Sequence, residues 1–338
     1  MRAVYAAAAR RVASLAKRNA RPRAGAGLAR LLLRDPPQMS EEDQPLDCLI
    51  IGGGAAGLTA AVYLGRYRRR ALVLDAGGSR LGWIPRSRNV PGFPDGIEGR
   101  ELWKRMQDHA VQFGVPTQAT RVDTLERSAE GLFTARSRDG AWRARYVILA
   151  TGARDIAPEI DGLEDALRGG QVRFCPVCDG FETQGQRVAV LGRAGHGLRE
   201  SLFVSNFGNH VTWLAMESEE EVAQEHLEQL RGAGIQVAGS APRIIACGEG
   251  RGVRVELHSG QVLEFDTLYP ALGLQHHCEL ATALGARACT DGQLEVDAHQ
   301  QTNVDGLYAA GDVSVDLNQI SVAAGHAAIA ATAIHNRL

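Results

Sequence analysis

The chain has 338 residues, 45% of them hydrophobic and 22% charged, with a formal net charge of −2. That balance lacks the basic footprint of a nucleic-acid partner, and 5% aromatic residues leave little for base stacking. No apolar run approaches the roughly 20 residues that span a bilayer, and the length suits two domains of ~100–200 residues each. Of the six cysteines, only Cys175 and Cys178 are close in sequence. The other four are scattered, as in a reducing compartment where single thiols serve as small core residues.

Residues 1–34 hold nine Arg or Lys and no acid, the composition of an organellar presequence. Met39 opens MSEEDQPLDCLIIGGG, an ordinary start for a cytosolic enzyme. On either reading residues 1–44 are a disordered extension outside the fold. The location expected is the cytoplasm, or an organellar matrix if the presequence is real.

The stretch LDCLIIGGGAAGLTAAVYLGRYRRRALVLDAGG follows. Leu46–Ile51 is a short apolar run, the pattern of a strand buried on both faces. Gly52, Gly54 and Gly57 have G-x-G-x-x-G spacing, Leu58 to Arg69 reads as a helix, and Ala71–Leu74 reads as a strand ending at Asp75. In such a unit the first glycine makes the tight turn and the second admits a pyrophosphate. The third lets the helix close on the sheet, with the helix N-terminus facing the phosphates. An acid eighteen residues after Gly57 would accept from ribose hydroxyls. The predicted ligand is a dinucleotide, with Ala55, Ala56 and Ala76 beside it.

Two later stretches, YVILATG (146–152) and GLYAAGDV (306–313), each run a strand into a tight turn. Together with GGGAAG at 52–57, NVPGFPDGIEGREL at 89–102 and CPVCDG at 175–180, they resemble the low-molecular-weight thioredoxin reductase family from about Leu46 to the C-terminus. The resemblance implies an α/β fold of two Rossmann-like dinucleotide-binding domains, the second inserted into the first. The FAD domain would be 45–155 plus 275–338. The NAD(P)-binding-like domain, carrying the redox disulfide, would be 156–274, with hinges at Ala153–Pro158 and near Gly273. It also implies that the first site holds FAD, with Asp312 on the ribitol and Asp75 by the adenosine ribose. Asn89, Thr151, Gly152, Gly311, Gln319 and Ile320 complete the FAD set.

The Cys-x-x-Cys pair admits three readings. A structural zinc site commonly needs four ligands. There is no second such pair, and the His276-His277-Cys278 cluster lies far along the chain. A packed structural pair sits poorly with the Asp179-Gly180 that follows. A redox disulfide fits better, because thiols in such motifs often have lowered pKa values. The resemblance then makes Cys178 the flavin-proximal thiol, Cys175 the interchange thiol and Asp179 the acid–base group. Electrons would run from NAD(P)H through flavin to this disulfide. From there they would pass to thioredoxin, a similar small redox protein, or a small disulfide.

A second βαβ unit begins with Arg187–Leu191 and GRAGHG at 192–197, then a helix over Leu198–Phe207 and a strand over His210–Leu214. Gly192, Gly195 and Gly197 are the candidate nucleotide glycines, but Ala194 stands where the middle glycine belongs. Family members that use NADPH place two arginines just past the second strand; here the positions read Met216 and Glu217, followed by Glu219–Glu221. An acid at a strand end suits a free ribose diol and hence NADH, while the acidic run also suits a helix first turn. The family's Arg-Gln-Ala at the start of the last helix (317–338) is matched here by Asn318-Gln319-Ile320. His326 in that helix reads as a packed or half-exposed residue rather than a catalytic acid.

The leading expectation is therefore an FAD-dependent, thioredoxin reductase-like disulfide oxidoreductase, a homodimer with no metal, nucleic-acid or membrane partner. A flavin dithiol oxidase using oxygen, or a disulfide reductase fed by a donor such as ferredoxin, is the alternative. A redox-inactive module that keeps FAD as structure is disfavoured by the intact Cys-x-x-Cys-Asp.

Overall fold

In the computed structural model, residues 44–159, 162–217, 221–238, 243–248 and 252–338 are described. The expected N-terminal extension, to residue 43, and Glu219 and Glu220 lie outside them. The first unit is β1 (Leu46–Ile51), α1 (Ala55–Arg66) and β2 (Ala71–Asp75). Helix α1 starts three residues before the sequence pattern suggests, directly off the glycine turn. Gly52 makes that turn at φ +110°, where a Cβ would overlap the Ala150 carbonyl. A Cβ on Gly57 would overlap the Gly52 carbonyl, so only glycine lets α1 close this tightly on the turn.

A short 3-10 helix (Arg80–Trp83) leads to α2 (Gly99–Gln112). Then come β3 (Thr117–Ala119), β4 (Thr124–Arg127), β5 (Phe133–Ser137) and β6 (Gly140–Leu149). The sheet order is β3-β2-β1-β6-β5-β4. Strand β6 serves two pairings: its first half runs antiparallel to β5, and its second half parallel to β1.

Next are β7 (Ala153–Asp155), α3 (Leu163–Arg168) and α4 (Pro176–Asp179). The second βαβ unit is β8 (Arg187–Gly192), α5 (Ala194–Ser205) and β9 (His210–Ala215). Again the helix starts early, at Ala194 rather than Leu198. It continues through α6 (Gln224–Gly232), β10 (Gln236–Ala238), β11 (Arg243–Gly248), β12 (Gly252–Glu256), β13 (Val262–Phe265) and β14 (Thr267–Ala271). Strands β10-β9-β8-β14 form a parallel sheet, and β11-β12-β13 an antiparallel one.

The chain returns through β15 (Leu274–His276), α7 (Glu279–Thr282), β16 (Leu307–Ala309) and α8 (Ile320–His335). Strand β16 pairs parallel with β6 and completes the first sheet. The second Rossmann-like unit is thus inserted into the first. The two passages between them, β7 and β15, pair as a two-stranded antiparallel ribbon, Asp155 opposite Leu274.

Two apolar layers cover the first sheet. One joins Ile50, Val73 and Ile148 to α1 and to Ala323, Ala327, Ala330, Ala331 and Ile334 of α8. These positions recur at helical spacing, and the alanines let α8 lie close on Ala60 and Ala61 of α1. The other joins Leu49, Leu149, Phe133 and Leu307. Each fully buried Leu, Ile or Phe contributes ~1.5–3 kcal/mol, and an enlarged α8 alanine would cost ~1–3 kcal/mol by overpacking.

Candidate active site

Cys175 and Cys178 are joined as a disulfide. The geometry is local: Cys175 caps α4, Pro176 stands at its first turn, and the Cys178 N–H donates to the Cys175 carbonyl at 2.9 Å and to Cys175 Sγ at 3.2 Å. Proline with fixed φ suits that first position. The turn therefore holds both sulfurs on one side.

Asp179, the last residue of α4, is gripped at both oxygens. Tyr269 of β14 donates its hydroxyl to Oδ1 at 2.7 Å, and Arg173 Nη1 lies 3.2 Å from Oδ2. Burial pushes the Asp179 pKa up, and Arg173 and then the Tyr269 hydrogen bond pull it back; the net direction is upward. Burial also raises the Tyr269 hydroxyl, so it stays a donor. Glu200 on α5 is a second acid here. Its Oε1 is buried without a hydrogen-bond partner. Burial and the charges of Asp155 and Asp179 push its pKa up to about 7.

From the first domain, one side chain reaches the disulfide and a second braces it. Gln319, the residue before α8, places Nε2 3.4 Å from each sulfur. Its Oε1 accepts from Asn89 Nδ2 at 2.8 Å, and the same Nδ2 reaches the Val177 carbonyl at 3.4 Å. Both were expected beside the flavin; here Gln319 meets the two sulfurs, and Asn89 meets Gln319 and the Val177 carbonyl between the two cysteines. Arg88 and Glu182, 3.6 Å apart, add an ion pair across the same junction.

The first glycine turn fits a dinucleotide. A Cβ on Gly54 would meet only Ser79 Oγ, at 3.4 Å, so the backbone there is open to a phosphate. Asp75 ends β2 and accepts from the N–H groups of Gly53 (3.1 Å) and Gly77 (3.2 Å). Ala55 and Ala56 open α1, and Ala76 is exposed just past Asp75. Thr151 donates to the His277 carbonyl at 2.6 Å, and the Gly152 carbonyl accepts from His277 N at 3.0 Å. Gly311, at φ +80°, lies against Ala56 of α1. Ile320 starts α8 and packs with Leu81, Ile97 and Leu102.

Asp312 is tethered. Arg80 Nη1 reaches its Oδ2 at 2.8 Å while Nε and Nη2 grip Asp155 of β7 at 2.9 and 2.7 Å. His276 of β15 holds the Asp312 carbonyl at 2.7 Å. Both strands of the ribbon are thus tied to the Gly311-Asp312 turn. His326 is buried, with Ser314 and Asp316 each 3.3 Å from its ring nitrogens.

At the second turn, Gly192 ends β8 and Gly195 and Gly197 lie in the first turn of α5, Gly197 against the Trp213 ring. Glu217 stands two residues past β9. Its Oε1 is 3.4 Å from Ala194 N and from Arg193 Nη1, and its Oε2 is buried with no partner. The carboxylate faces the α5 N-terminus as Asp75 faces that of α1.

Sequence reading missed Arg80, Arg173, Tyr269, Asp155 and Glu200. Tyr269 had a signal: a tyrosine in a fully buried strand usually places its hydroxyl on a partner. Arg80 had none, because its short 3-10 helix shows no periodicity in sequence and its partners are remote along the chain. Among the described residues no cluster of three or more His, Cys, Asp or Glu side chains could hold a metal ion. Nor is any described helix long and apolar enough to cross a membrane.

Comparison with known proteins agrees with this arrangement. The pyridine nucleotide-disulphide oxidoreductase family model matches residues 46–327. Thioredoxin reductase of Aquifex aeolicus is 30% identical, over 88% of this chain and 94% of its own. A component of the alkyl hydroperoxide reductase of Staphylococcus aureus is 29% identical over 86% of this chain, which spans 59% of that longer protein. Among solved structures, thioredoxin reductase from Streptococcus pyogenes superposes with a TM-score of 0.78, at 26% identity over 86% of this chain and 97% of the other. With its Cys175–Cys178 disulfide and two Rossmann-like units, the chain belongs to the pyridine nucleotide-disulphide oxidoreductases, as a thioredoxin reductase-like enzyme.

Proposed function

We propose that the enzyme takes electrons from NADH and reduces the disulfide of thioredoxin or a similar small redox protein. The observation that carries this is the contact of the Cys175–Cys178 disulfide with Gln319, at the start of the helix that follows the Gly311-Asp312 turn. Gly52, Gly54, Gly57, Asp75 and Asp312 would hold FAD. Bound there, FAD supplies the two-electron exchange between nicotinamide and disulfide. Cys178 is the thiol that stays by the flavin. Cys175 attacks the partner's disulfide, and Asp179 gives and takes the proton. The β7–β15 ribbon serves as the hinge about which the inserted domain, residues 156–274, turns to present Cys175 outward.

The choice of NADH rests on Glu217. Its carboxylate lies at the N-terminus of α5, a position that suits a donating ribose diol and disfavours a 2′-phosphate. By family likeness the enzyme is a homodimer of the cytoplasm, which size-exclusion chromatography and fractionation would check. The test is anaerobic bleaching of bound FAD with each nucleotide, followed by turnover with thioredoxin. Bleaching by NADH at far lower concentration than by NADPH, with thioredoxin dithiol formed, is the expected result. Bleaching by neither, with prompt bleaching by dithiothreitol, would overturn the nicotinamide reading.

A further inference from the structure

The disulfide's acid is held by a scaffold with its own architecture. Residues 171–173 run beside β14 as an extra strand fragment: Leu268 N donates to the Gln171 carbonyl at 2.8 Å, and Arg173 N to the Leu268 carbonyl at 2.9 Å. This pairing brings Arg173 beside Tyr269, and both side chains converge on Asp179. The guanidinium is fixed from behind, since Arg173 Nε donates to the Gly170 carbonyl at 3.0 Å. The Arg173 and Asp179 side chains are only 20% and 25% exposed, so the pair is shielded more than a surface ion pair. Arg173, Asp179 and Tyr269 all lie between β7 and β15. They would keep their contacts if the inserted domain turned, whereas Gln319 and Asn89 stay with the first domain.

We propose that Arg173 and Tyr269 are positioning residues for the proton transfer at the disulfide, orienting the Asp179 carboxylate and tuning it as a proton donor. This rests on the reading of Asp179 as the acid–base group. When an incoming thiolate forms a bond to Cys175 Sγ, the Cys175–Cys178 bond breaks and its electron pair leaves on Cys178. One proton from Asp179 converts that thiolate to a thiol, and solvent returns the proton to Asp179. Four groups face the carboxylate. Arg173 and Tyr269 stabilise its charge; Glu182, from the turn after α4, and Glu200, from α5, oppose it. The charged form is disfavoured by burial, and Arg173 is the largest counterweight. Without it Asp179 would keep its proton to higher pH.

The test uses FAD-loaded full-length enzyme and dithiothreitol as the thiol. The rate of disulfide opening is followed anaerobically across pH and divided by the reagent's own thiolate fraction. In the wild type that normalised rate falls as Asp179 loses its proton. Arg173→Gln should move the fall upward by ~1 pH unit or more. Arg173→Lys, which keeps the charge, should restore it in large part, and Tyr269→Phe should give a smaller upward shift. Asp179→Asn should abolish the fall. If Asp179→Asn leaves the profile unchanged, Asp179 is not the acid and the inference goes with it. If Asp179→Asn abolishes the fall but neither Arg173→Gln nor Tyr269→Phe moves its midpoint, Asp179 stands and the positioning role is overturned.

Discussion

Replacing Glu217 by alanine separates the two nicotinamide nucleotides in a predictable way. The carboxylate has Oε1 3.4 Å from both Ala194 N and Arg193 Nη1, and Oε2 buried without a partner. A ribose hydroxyl donating to this carboxylate would form a charge-assisted bond worth ~1.5–3 kcal/mol. The Glu217→Ala variant should therefore bind NADH ~10- to 100-fold more weakly. A 2′-phosphate seated within ~4 Å of the same carboxylate would meet a repulsion of ~4 kcal/mol per unit of phosphate charge at an effective dielectric of ~20. Screening by solvent and by the Arg193 cation that halves this still leaves ~2 kcal/mol, or ~30-fold discrimination against NADPH. Alanine removes that barrier, so NADPH should bind better to the variant while NADH binds worse. The assay is anaerobic titration of flavin absorbance with each nucleotide, on wild type and variant. A wild type that favours NADPH, or a variant in which both affinities move together, would refute the placement of Glu217 on the ribose.

Other perturbations test the rest of the site. Arg80→Gln leaves Asp155 and Asp312 facing each other without their shared cation. A loss of ~1–3 kcal/mol in urea unfolding and FAD binding weakened ~10-fold are expected, and unchanged FAD affinity would show that Asp312 does not need the tether. Glu200 has a folded pKa of about 7 against an ordinary 4.5, so its contribution to stability is full below pH 4.5 and lost as pH rises through 7. Glu200→Gln, which cannot ionise, should match the wild type near pH 4.5 and exceed it by ~2–4 kcal/mol above pH 7; parallel urea curves across that range would exclude a buried, proton-holding Glu200. Gly54→Ala should fold with normal thermal stability yet hold FAD poorly, because its Cβ has room in the protein and would crowd the ligand. Gly57→Ala should lose stability outright, since its Cβ overlaps the Gly52 carbonyl. Equal behaviour of the two variants would count against the cradle.

Both βαβ units were legible in sequence because their signals are local. Apolar runs of strand length, glycines at fixed offsets and an acid at the strand end all fall within about thirty residues. The same locality made Cys175–Cys178 readable as a redox pair, since three-residue spacing on a proline-started turn brings two sulfurs together without help from the rest of the chain. Helix starts were misplaced by three or four residues in both units, because the glycines read as turn and are in part the first turn of each helix.

What sits around those motifs was decided by the tertiary structure. Arg80 meets Asp312 across 232 positions, Tyr269 meets Asp179 across 90, and Gln319 meets Cys175 across 144. None of these pairs has a periodicity, because each is made by chain crossing rather than by helix or strand repeat. Asp179 shows the division most plainly. Its place after the second cysteine is written in the sequence, but its setting is not. That setting comes from burial, an arginine carried alongside β14 and a tyrosine from within that strand, which exist together only once the inserted sheet has formed.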